Sequence, residues 1–565
     1  MRLEAVDWAI VAGYLVFSLA AGVVLARRAG SGMESFFLSG RSLPWWLAGT
    51  SMAATSFAAD TPLAVTEMVR THGVAGNWLW WSYGIGGMLS VFLFARFWRR
   101  ARVVTDAEVT ELRYSGRGAA ALRAWRGFYS AVIRNCLVMG WVILAMATLV
   151  EGAFPGVGKG TAVAVSCGVA LVYAVLSGFW AVVVTDLVQF VLALTGAGAA
   201  AFFAFRKIGG LEGLAAAFPA ERLEGLLRPL PVAGESWLPT GAFAIYLGML
   251  WWCTDNADGG GIIIQRMSAS RNEKEAVRAT LWFQFAHYGI RTWPWVLVAL
   301  ASLVLFPEMT DHKAAYPATA FLVLPAVWRG ILAASLMAAF MSTIDTHLNW
   351  GASYLINDLY RRFIDPGATD RRLVLLSRVA TILLMGLGAL AALRYRTITG
   401  AWILTISLGA GAGIVYILRW FWWRINAWSE LSAMLASLAA NAALRVWAPG
   451  IAFPYTLPWI VGLSAAVWVP VTFLTAPVEA ERLRGFCARV RPLGAWGPFR
   501  GDEPRDPAGR WLLQWGIGTI ALYAFLFGGG SLLLGSPVRG AVLLGVAAAG
   551  GAALFRFAAR ERWSE

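Results

Sequence analysis

The stretch from Leu336 to Tyr360 carries hydroxyl, amide and carboxylate side chains through an otherwise apolar segment. Read as a helix of 3.6 residues per turn, it places small or oxygen-bearing side chains on one stripe, namely Ala339, Ser342, Thr343, Thr346 and Asn349. Hydroxyl, carbonyl and carboxylate oxygens are the ligands of small hard cations, and polar groups at bilayer depth usually face a bundle interior or an ion pathway. Hydrogen bonding between neighbouring membrane helices would explain the same Ser and Thr residues. This helix alone supports both interpretations equally.

The composition predicts a membrane around this helix. Of the 565 residues, 59% are hydrophobic and 14% are charged, and apolar runs of about 20 residues, the length that crosses a bilayer, recur along the chain. We therefore predict a polytopic all-α membrane protein with about fifteen spans. The expected spans lie near residues 7–27, 44–69, 76–98, 127–151, 160–177, 179–205, 239–265, 277–305, 328–360, 372–394, 397–421, 427–447, 456–477, 511–533 and 537–557. The first lacks a small-residue cleavage site followed by a soluble domain, so we expect a retained helix rather than a signal peptide.

The charge distribution predicts the orientation in the cell membrane. A net charge of +15 would suggest a nucleic-acid partner in a soluble protein, but in a membrane protein arginine clusters mark cytoplasmic loops. The clusters follow the first, third and ninth expected spans and occupy the stretch 478–510. If the spans alternate, all four clusters lie on one side. We therefore expect the amino terminus outside, the carboxyl terminus in the cytoplasm, and no nucleic-acid partner.

Two of the expected spans contain helix breakers. The second is interrupted at Asp60–Pro62, and the seventh, five spans later, at Asp255–Gly261. Paired Gly- or Pro-broken membrane segments in corresponding halves of a chain are typical of inverted-repeat transporters, whose sites lie at the breaks. Unwound backbone exposes polar groups that a ligand or neighbouring protein must satisfy. The sequence therefore predicts a binding site between the two breaks.

Four motifs, in this order along the chain, resemble the sodium:solute symporter family. They are Phe-Phe-Leu-Ser-Gly-Arg-Ser-Leu-Pro at 36–44, Ser-Gly-Phe-Trp-Ala-Val-Val-Val-Thr-Asp-Leu-Val-Gln at 177–189, Trp-Trp-Cys-Thr-Asp at 251–255 with Ile-Gln-Arg at 264–266, and the polar helix from 341 to 360. The resemblance extends from about residue 5 to at least residue 425. It implies a LeuT-type 5+5 inverted repeat, here formed by the second to the eleventh span, with additional flanking transmembrane helices.

This resemblance also implies a division of the chain. We expect an extra amino-terminal span at 1–30, the ten-helix transport core at 31–425, additional spans at 426–477, a cytoplasmic loop at 478–510 and two carboxyl-terminal spans at 511–565.

The resemblance implies a sodium site between the broken first core helix and the eighth core helix. Its ligands would be the carbonyls of Ala54, Phe57 and Ala339 and the hydroxyls of Ser342 and Thr343. A second cation site in some relatives would here use Asp186, Thr346 and the Ser342 hydroxyl. Asp345 stands where relatives have Ser or Thr, so it could strengthen that site or pair with a nearby arginine and leave no ion there. Asp186 could also be purely structural, as a helix cap or salt-bridge partner.

The predicted solute cavity lies at the breaks. Its expected lining is Ser56, Asp60, Thr61, Asn77, Trp78, Trp81, Arg134, Asn135, Trp252, Asp255, Asn256 and Asp258. If Arg134 faces the cavity, its planar guanidinium suits a carboxylate on the solute, whereas a snorkelling arginine would reach the membrane interface instead. The carboxylates would accept hydrogen bonds from hydroxyls or amines, so sugars, polyols and amines stay open.

The function that the resemblance implies is sodium-coupled secondary active symport, importing a small organic solute (a sugar, a sugar acid or another carboxylate) by alternating access. The expected partners are that solute, one or two sodium ions and the lipid bilayer, with no obligate protein partner. A transporter-like sensor or channel without coupled turnover is the alternative. We do not expect an enzyme, because the four histidines are scattered and form no metal-spaced cluster.

Overall fold

The structure is a computed structural model that describes residues 3–29, 38–154, 156–176, 179–232, 238–501, 506–561 and 563. Its secondary-structure segments are helices, as the sequence predicts. Within these residues, nine helices are long and apolar enough to cross a membrane, or ten if one bent pair counts as a single span. The expected number of about fifteen spans is therefore not confirmed. Several other apolar helices, such as Thr240–Cys253, are too short to qualify alone.

The main helices follow one another along the chain in three groups. The first half comprises α1 (Ala5–Ala29), α2 (Trp45–Thr55), α3 (Asp60–His72), α4 (Val74–Ala101), α5 (Gly116–Ala153), α6 (Lys159–Leu176) and α7 (Phe179–Ile208). The central part comprises α8 (Thr240–Cys253), α9 (Gly261–Ala269), α10 (Glu273–Leu305), α11 (Ala315–Val323), α12 (Trp328–Ile364), α13 (Asp370–Arg394), α14 (Ile398–Gly409) and α15 (Gly413–Phe421). The last part comprises α16 (Ala427–Trp447), α17 (Thr456–Leu474), α18 (Ala480–Val490), α19 (Ala508–Leu533) and α20 (Pro537–Ala559).

Both expected breaks are present, with one shifted along the chain. The first gap runs from 56 to 59, and Asp60 begins α3, where a carboxylate is stabilised by the helix dipole. Pro62 follows in the first turn of α3, where its missing N–H removes no intrahelical bond. The second gap runs from 254 to 260, and Gly259 and Gly260 have φ angles of 128° and 75°, a left-handed region that favours glycine.

A third helix break, between α14 and α15, packs against the backbone of the second break. Helices α14 and α15 meet at a bend of 45°, and Gly413 at the start of α15 packs directly on the unwound backbone. A Cβ atom on Gly413 would lie 2.3 Å from the Thr254 carbonyl oxygen and 2.4 Å from the Cys253 carbonyl carbon. Since these are backbone atoms, they cannot rotate away. The absence of a side chain at Gly413 therefore allows the close approach that positions the second break.

We predict that Gly413→Ala destabilises the protein by about 1–3 kcal/mol or more, because the added methyl group overpacks a backbone contact. Thermal unfolding of the purified protein in detergent would measure the loss. The matched control is Gly386→Ala in α13, where a Cβ would meet nothing within 4 Å and alanine should be neutral or stabilising. Equal unfolding temperatures for the two variants would contradict the packing role of Gly413.

Buried ion pairs connect several helices at one end of the bundle. We call this end, which contains Arg123 and Arg126, the arginine-rich face. Arg123 of α5 donates to Asp358 of α12 at 2.8 Å, and Arg126 donates to Asp106 at 2.7 Å. Arg126 also reaches Glu430 of α16 at 3.1 Å. These pairs connect the start of α5 with the end of α12 and the start of α16. The arginine-rich face is the one expected to be cytoplasmic, and the orientation stays a prediction.

The carboxyl-terminal helices pack against the rest of the bundle. The Arg96 guanidinium of α4 lies 3.1 Å from Glu273 and 2.9 Å from Glu561, with the Trp511 and Trp563 rings 4.3 and 4.8 Å away. The division of the chain at 30/31 falls outside the described residues, as does 502–505 of the expected loop. The divisions stay predictions, but α19 packs against the core, and α20 packs against α19.

Candidate functional site

A cavity of about 380 Å³ lies between the two helix breaks. Its walls come from both gaps and from nine helices, namely α2, α3, α4, α5, α8, α9, α10, α12 and α14. Six of the twelve residues predicted for the solute site line it, namely Ser56, Asp60, Thr61, Arg134, Asp255 and Asn256. The structure thus brings these six residues together in a cavity at the breaks, and their role in binding a solute stays a prediction.

Arg134 lies in the cavity wall and is already paired. Its Nε atom is 3.2 Å from Asp255 Oδ2, and its Nη2 atom donates to the Asn256 side-chain oxygen at 2.5 Å. The guanidinium therefore crosses from α5 to the second break instead of extending to the membrane interface. Among the lining residues of the described chain, Arg134 is the only arginine or lysine. The pairing with Asp255 neutralises that charge.

Three buried oxygen atoms in the cavity wall lack a hydrogen-bond partner among the described residues: the Thr254 hydroxyl, which can also donate, and two atoms that can only accept. The indole of Trp402 donates to Asp60 Oδ2 at 3.1 Å, but Asp60 Oδ1 accepts no bond. Gln284 Oε1 of α10 is likewise buried without a donor. A buried acceptor without a partner costs about 1–3 kcal/mol. Both atoms therefore favour a ligand with hydroxyl or N–H donors.

Aromatic side chains form much of the remaining wall. They are Trp80, Tyr83, Trp141, Trp251, Tyr288, Trp350 and Trp402. Apolar ring faces beside a few polar groups are the usual composition of a site for a small organic ligand. These residues and Gln284 were not predicted from the sequence, although a glutamine within the apolar run of α10 is itself a signal of a polar site.

The other six predicted solute residues do not line the cavity. The Asn77 side chain donates to the Val74 carbonyl, and the Trp78 indole donates to the Pro229 carbonyl. The Asn135 amide donates to the His347 carbonyl, and the Trp252 indole donates to the Gly248 carbonyl. Trp81 is fully buried. Because of the position of each residue around its helix axis, these side chains point to neighbouring segments or to their own helix.

Asp258, the sixth of these residues, lies in the second gap and faces Arg419 and Trp420 instead of the cavity. Its carboxylate accepts from the Arg419 guanidinium at 2.5 Å and from the Trp420 indole at 2.9 Å. Arg419 continues to Glu430 at 3.4 Å, which also pairs with Arg126. The second break is thereby connected to the ion pairs of the arginine-rich face.

The predicted sodium ligands come from the end of α2, the first gap and the middle of α12. Ala54, Phe57, Ala339, Ser342 and Thr343 are all buried. The Thr343 hydroxyl donates to the Thr55 carbonyl at 3.0 Å, so α12 contacts the last turn of α2 directly. Thr343 and Thr55 also line the cavity. A cation at this junction would touch the first break and lie beside the solute.

An arginine occupies the region predicted for a second cation. Asp186 accepts hydrogen bonds from Ser51 and Ser342 at 2.5 Å each. Arg266 of α9 places Nη2 at 3.8 Å from Asp186 Oδ2 and donates to the Thr346 hydroxyl at 3.0 Å. The buried Asp345 carboxylate also acts electrostatically on the Arg266 guanidinium. A fixed positive charge therefore lies between the groups that would have bound an ion, which agrees with the arginine-pairing alternative.

The family model described as the sodium:solute symporter family matches residues 36–437, more than two thirds of the chain. The chain belongs to the sodium:solute symporter family. Of the motifs that predicted this membership, Phe36, Phe37, Ser177 and Gly178 lie outside the described residues.

Relatives across this symporter family match most of the chain. A sodium/glucose cotransporter 4 from Danio rerio is 24% identical over 78% of this chain and 71% of its own length. A sodium/glucose cotransporter from Vibrio parahaemolyticus is 25% identical over 77% of this chain and 84% of its own length. These proteins are cotransporters, consistent with a protein that is not an enzyme.

The fold resembles that of a solved family structure, the substrate-bound outward-open state of a Na⁺-coupled sialic acid symporter. The TM-score is 0.68 at 19% identity, covering 84% of this chain and 99% of the other. The chain thus has the helical architecture of LeuT-fold sodium symporters. Its membership of the sodium:solute symporter family, together with the cotransporters that match it, makes it a sodium-coupled solute symporter.

Proposed function

We propose that this symporter imports a neutral polyhydroxylated solute, a sugar or a polyol, together with sodium. The observation that carries the proposal is the pair of buried acceptors without a donor, Asp60 Oδ1 and Gln284 Oε1. Hydroxyl groups of a sugar would satisfy both atoms, and sites that hydrogen-bond a solute hydroxyl strongly reject analogues that lack it. The aromatic rings would cover the apolar faces of the sugar.

Charge complementarity argues against a sugar acid. Asp255 already neutralises Arg134 at 3.2 Å, so a solute carboxylate would have to displace this partner. Asp60 would repel such a carboxylate from the other wall. The two cotransporters named for glucose agree with a neutral solute, as does a relative from Homo sapiens named sodium/myo-inositol cotransporter 2.

We assign sodium to the junction of α2 and α12. Its ligands would be the carbonyls of Ala54, Phe57 and Ala339 and the hydroxyls of Ser342 and Thr343. Because Thr343 also borders the cavity, sodium would fix the first break in the arrangement that binds solute. Such coupling between two ligands is typically worth about 1–3 kcal/mol. We further propose one sodium ion per cycle, with Arg266 as the fixed charge at the second position.

The test of solute charge compares glucose with glucuronate, which differ at C6, and includes myo-inositol as a second neutral solute. We expect glucose or myo-inositol to raise the unfolding temperature of the purified protein in sodium and not in potassium. Glucuronate, which has the ring of glucose and a carboxylate at C6, should give no such shift. A larger sodium-dependent shift with glucuronate would contradict the neutral-solute proposal, and shifts independent of sodium would favour a sensor or channel.

We predict that Asp60→Asn weakens affinity for the best solute at least ~10-fold, since hydrogen bonds to a charged acceptor contribute roughly 1.5–3 kcal/mol. Arg134→Lys should change KM little, because lysine can still pair with Asp255. Uptake kinetics in proteoliposomes would measure both values. If Arg134→Lys loses transport while Asp60→Asn retains it, the arginine binds an anionic solute through its bidentate guanidinium.

A further inference from the structure

The wall of the solute cavity contains a histidine, His347 of α12. Its side chain is buried in the bundle, and its ring lies edge-on to the Trp350 ring, with 6.1 Å between the ring centroids. A neutral imidazole donates a hydrogen bond through one nitrogen and accepts through the other. The contacts of the two nitrogens therefore decide what His347 offers to a solute.

Asn135 of α5 holds this ring through two hydrogen bonds. Its side-chain NH₂ group donates to the His347 carbonyl at 2.9 Å, and its side-chain oxygen lies 2.5 Å from His347 Nδ1. The carbonyl fixes the orientation of the amide, because the reverse orientation would place two acceptor oxygens in contact. Since the amide oxygen can only accept, Nδ1 carries a proton.

The second ring nitrogen, Nε2, is an acceptor. Burial disfavours the imidazolium ion, as do the positive charges of Arg134 and Arg266, which act on the ring electrostatically. A neutral ring with its proton on Nδ1 leaves Nε2 unprotonated. Within the part of the chain that the structure describes, no group donates to Nε2 and none seals it off. This nitrogen is therefore open to the cavity that His347 lines.

A glycine one turn further along α12 leaves room for the asparagine. A Cβ atom on Gly351 would lie 2.5 Å from the Asn135 side-chain nitrogen, so a side chain at this position would displace the amide. Asn135 is fully buried and is separated from the cavity by the residue that it contacts. Its position between Gly351 and His347 is that of a residue that orients its neighbour.

We propose that His347 Nε2 accepts a hydrogen bond from a hydroxyl group of the solute, and that Asn135 is the positioning residue that fixes the ring for this bond. The inference rests on the proposed function, because it needs a hydroxyl-bearing solute in the cavity. It adds an acceptor on α12 to Asp60 Oδ1 on α3 and Gln284 Oε1 on α10. Acceptors on three different helices select a solute with hydroxyl groups all around a ring, such as a sugar or a cyclitol.

Two substitutions at His347 separate solute binding from helix packing. Glutamine places an amide near the position of Nε2, whereas asparagine places one near the position of Nδ1. We expect His347→Asn to weaken glucose affinity at least ~5-fold and His347→Gln to stay within ~2-fold, because only asparagine loses the bond to the hydroxyl. A ring that merely joins α12 to α5 would give the opposite order, since glutamine loses the contact with Asn135. Calorimetric titration of the purified full-length protein in sodium would measure these affinities.

The matched control is His312→Asn, the same substitution at a histidine outside the cavity, whose Nδ1 accepts from Arg70 at 3.2 Å. It should bind glucose as the wild type does. Among the monodeoxyglucoses, one should bind the wild type more weakly than glucose does and bind His347→Asn equally well. Asn135→Leu should weaken glucose binding in the wild type and have no further effect in His347→Asn, because the orienting role then has no object.

Equal affinities of the wild type and both His347 variants for glucose, or a larger loss in His347→Gln, would overturn the proposal. If only myo-inositol or only glucuronate stabilises the wild type in sodium, that compound replaces glucose in the comparison. Binding of glucuronate alone would refute the neutral solute but not the role of His347, and binding of none of the three would overturn both.

A spectroscopic measurement serves if the variants do not fold. The chain has four histidines, so the spectrum of the ¹⁵N-histidine-labelled protein contains few ring signals. We expect one ring with a protonated Nδ1 and an unprotonated Nε2 whose signal moves when the solute is added. A spectrum in which no unprotonated Nε2 responds to the solute would overturn the proposal.

Discussion

Replacing Thr343 by valine should remove most of the sodium dependence of transport. Valine has nearly the same shape, so the substitution deletes the hydroxyl that reaches the Thr55 carbonyl at 3.0 Å and that we assign to sodium. A methyl group cannot coordinate a hard cation. We expect the sodium concentration for half-maximal uptake to rise at least ~10-fold, the equivalent of roughly 1.5–3 kcal/mol for a bond to a charged group.

Two further variants separate ion binding from helix packing. Thr343→Ser keeps the hydroxyl and should retain sodium dependence. Ser353→Ala removes another buried hydroxyl of α12, one that donates to the Trp350 carbonyl of its own helix, and should leave sodium dependence unchanged. Normal sodium dependence in Thr343→Val would mean that this hydroxyl only joins α12 to α2.

The second large effect is expected at Arg266. Arg266→Gln should destabilise the protein by about 3–5 kcal/mol, because it leaves a buried carboxylate without its counter-charge. If Arg266 takes the place of a second cation, sodium should partly restore the unfolding temperature of this variant where potassium does not. Thermal unfolding in matched sodium and potassium buffers would measure the difference.

The control for this effect is the double variant Arg266→Gln with Asp186→Asn. Removing the carboxylate as well should recover part of the stability and abolish the specific benefit of sodium. Wild-type stability in Arg266→Gln would show that other groups compensate Asp186. An identical sodium effect in the single and double variants would rule out an ion at Asp186.

The location of the site could be predicted from the sequence, but not which residues line it. The breakers at both gaps and the stripe on α12 are local properties, so they were predictable. The choice between neighbouring residues depends on helix rotation, which π-helical turns alter. Such a turn spans Tyr129–Arg134 just before Asn135, and another spans Tyr246–Leu250 just before Trp251. After the first turn, Arg134 faces the cavity while Asn135 faces α12. After the second turn, Trp251 lines the cavity while Trp252 does not.

Side-chain contacts between residues far apart along the chain could not be predicted from the sequence either. Asp258 lies within the predicted break and has the chemistry of a solute ligand. Its actual partner, Arg419, is 161 residues away along the chain, and no local pattern connects the two. The same holds for Arg266, whose contact with the Thr346 hydroxyl joins residues 80 positions apart and supports the arginine-pairing alternative that the sequence left open.

The contacts of Arg96 have a consequence for how this protein can be divided. The side chain is enclosed by two carboxylates and two indole rings, of which Glu561, Trp511 and Trp563 come from the last part of the chain. The Trp293 indole of α10 likewise donates to the Leu526 carbonyl of α19 at 2.8 Å. The final helices are thus not an interchangeable module. A chimera that takes the final helices from another family member needs matching residues in α4 and α10. Otherwise the buried Arg96 guanidinium loses the partners that the final helices supply.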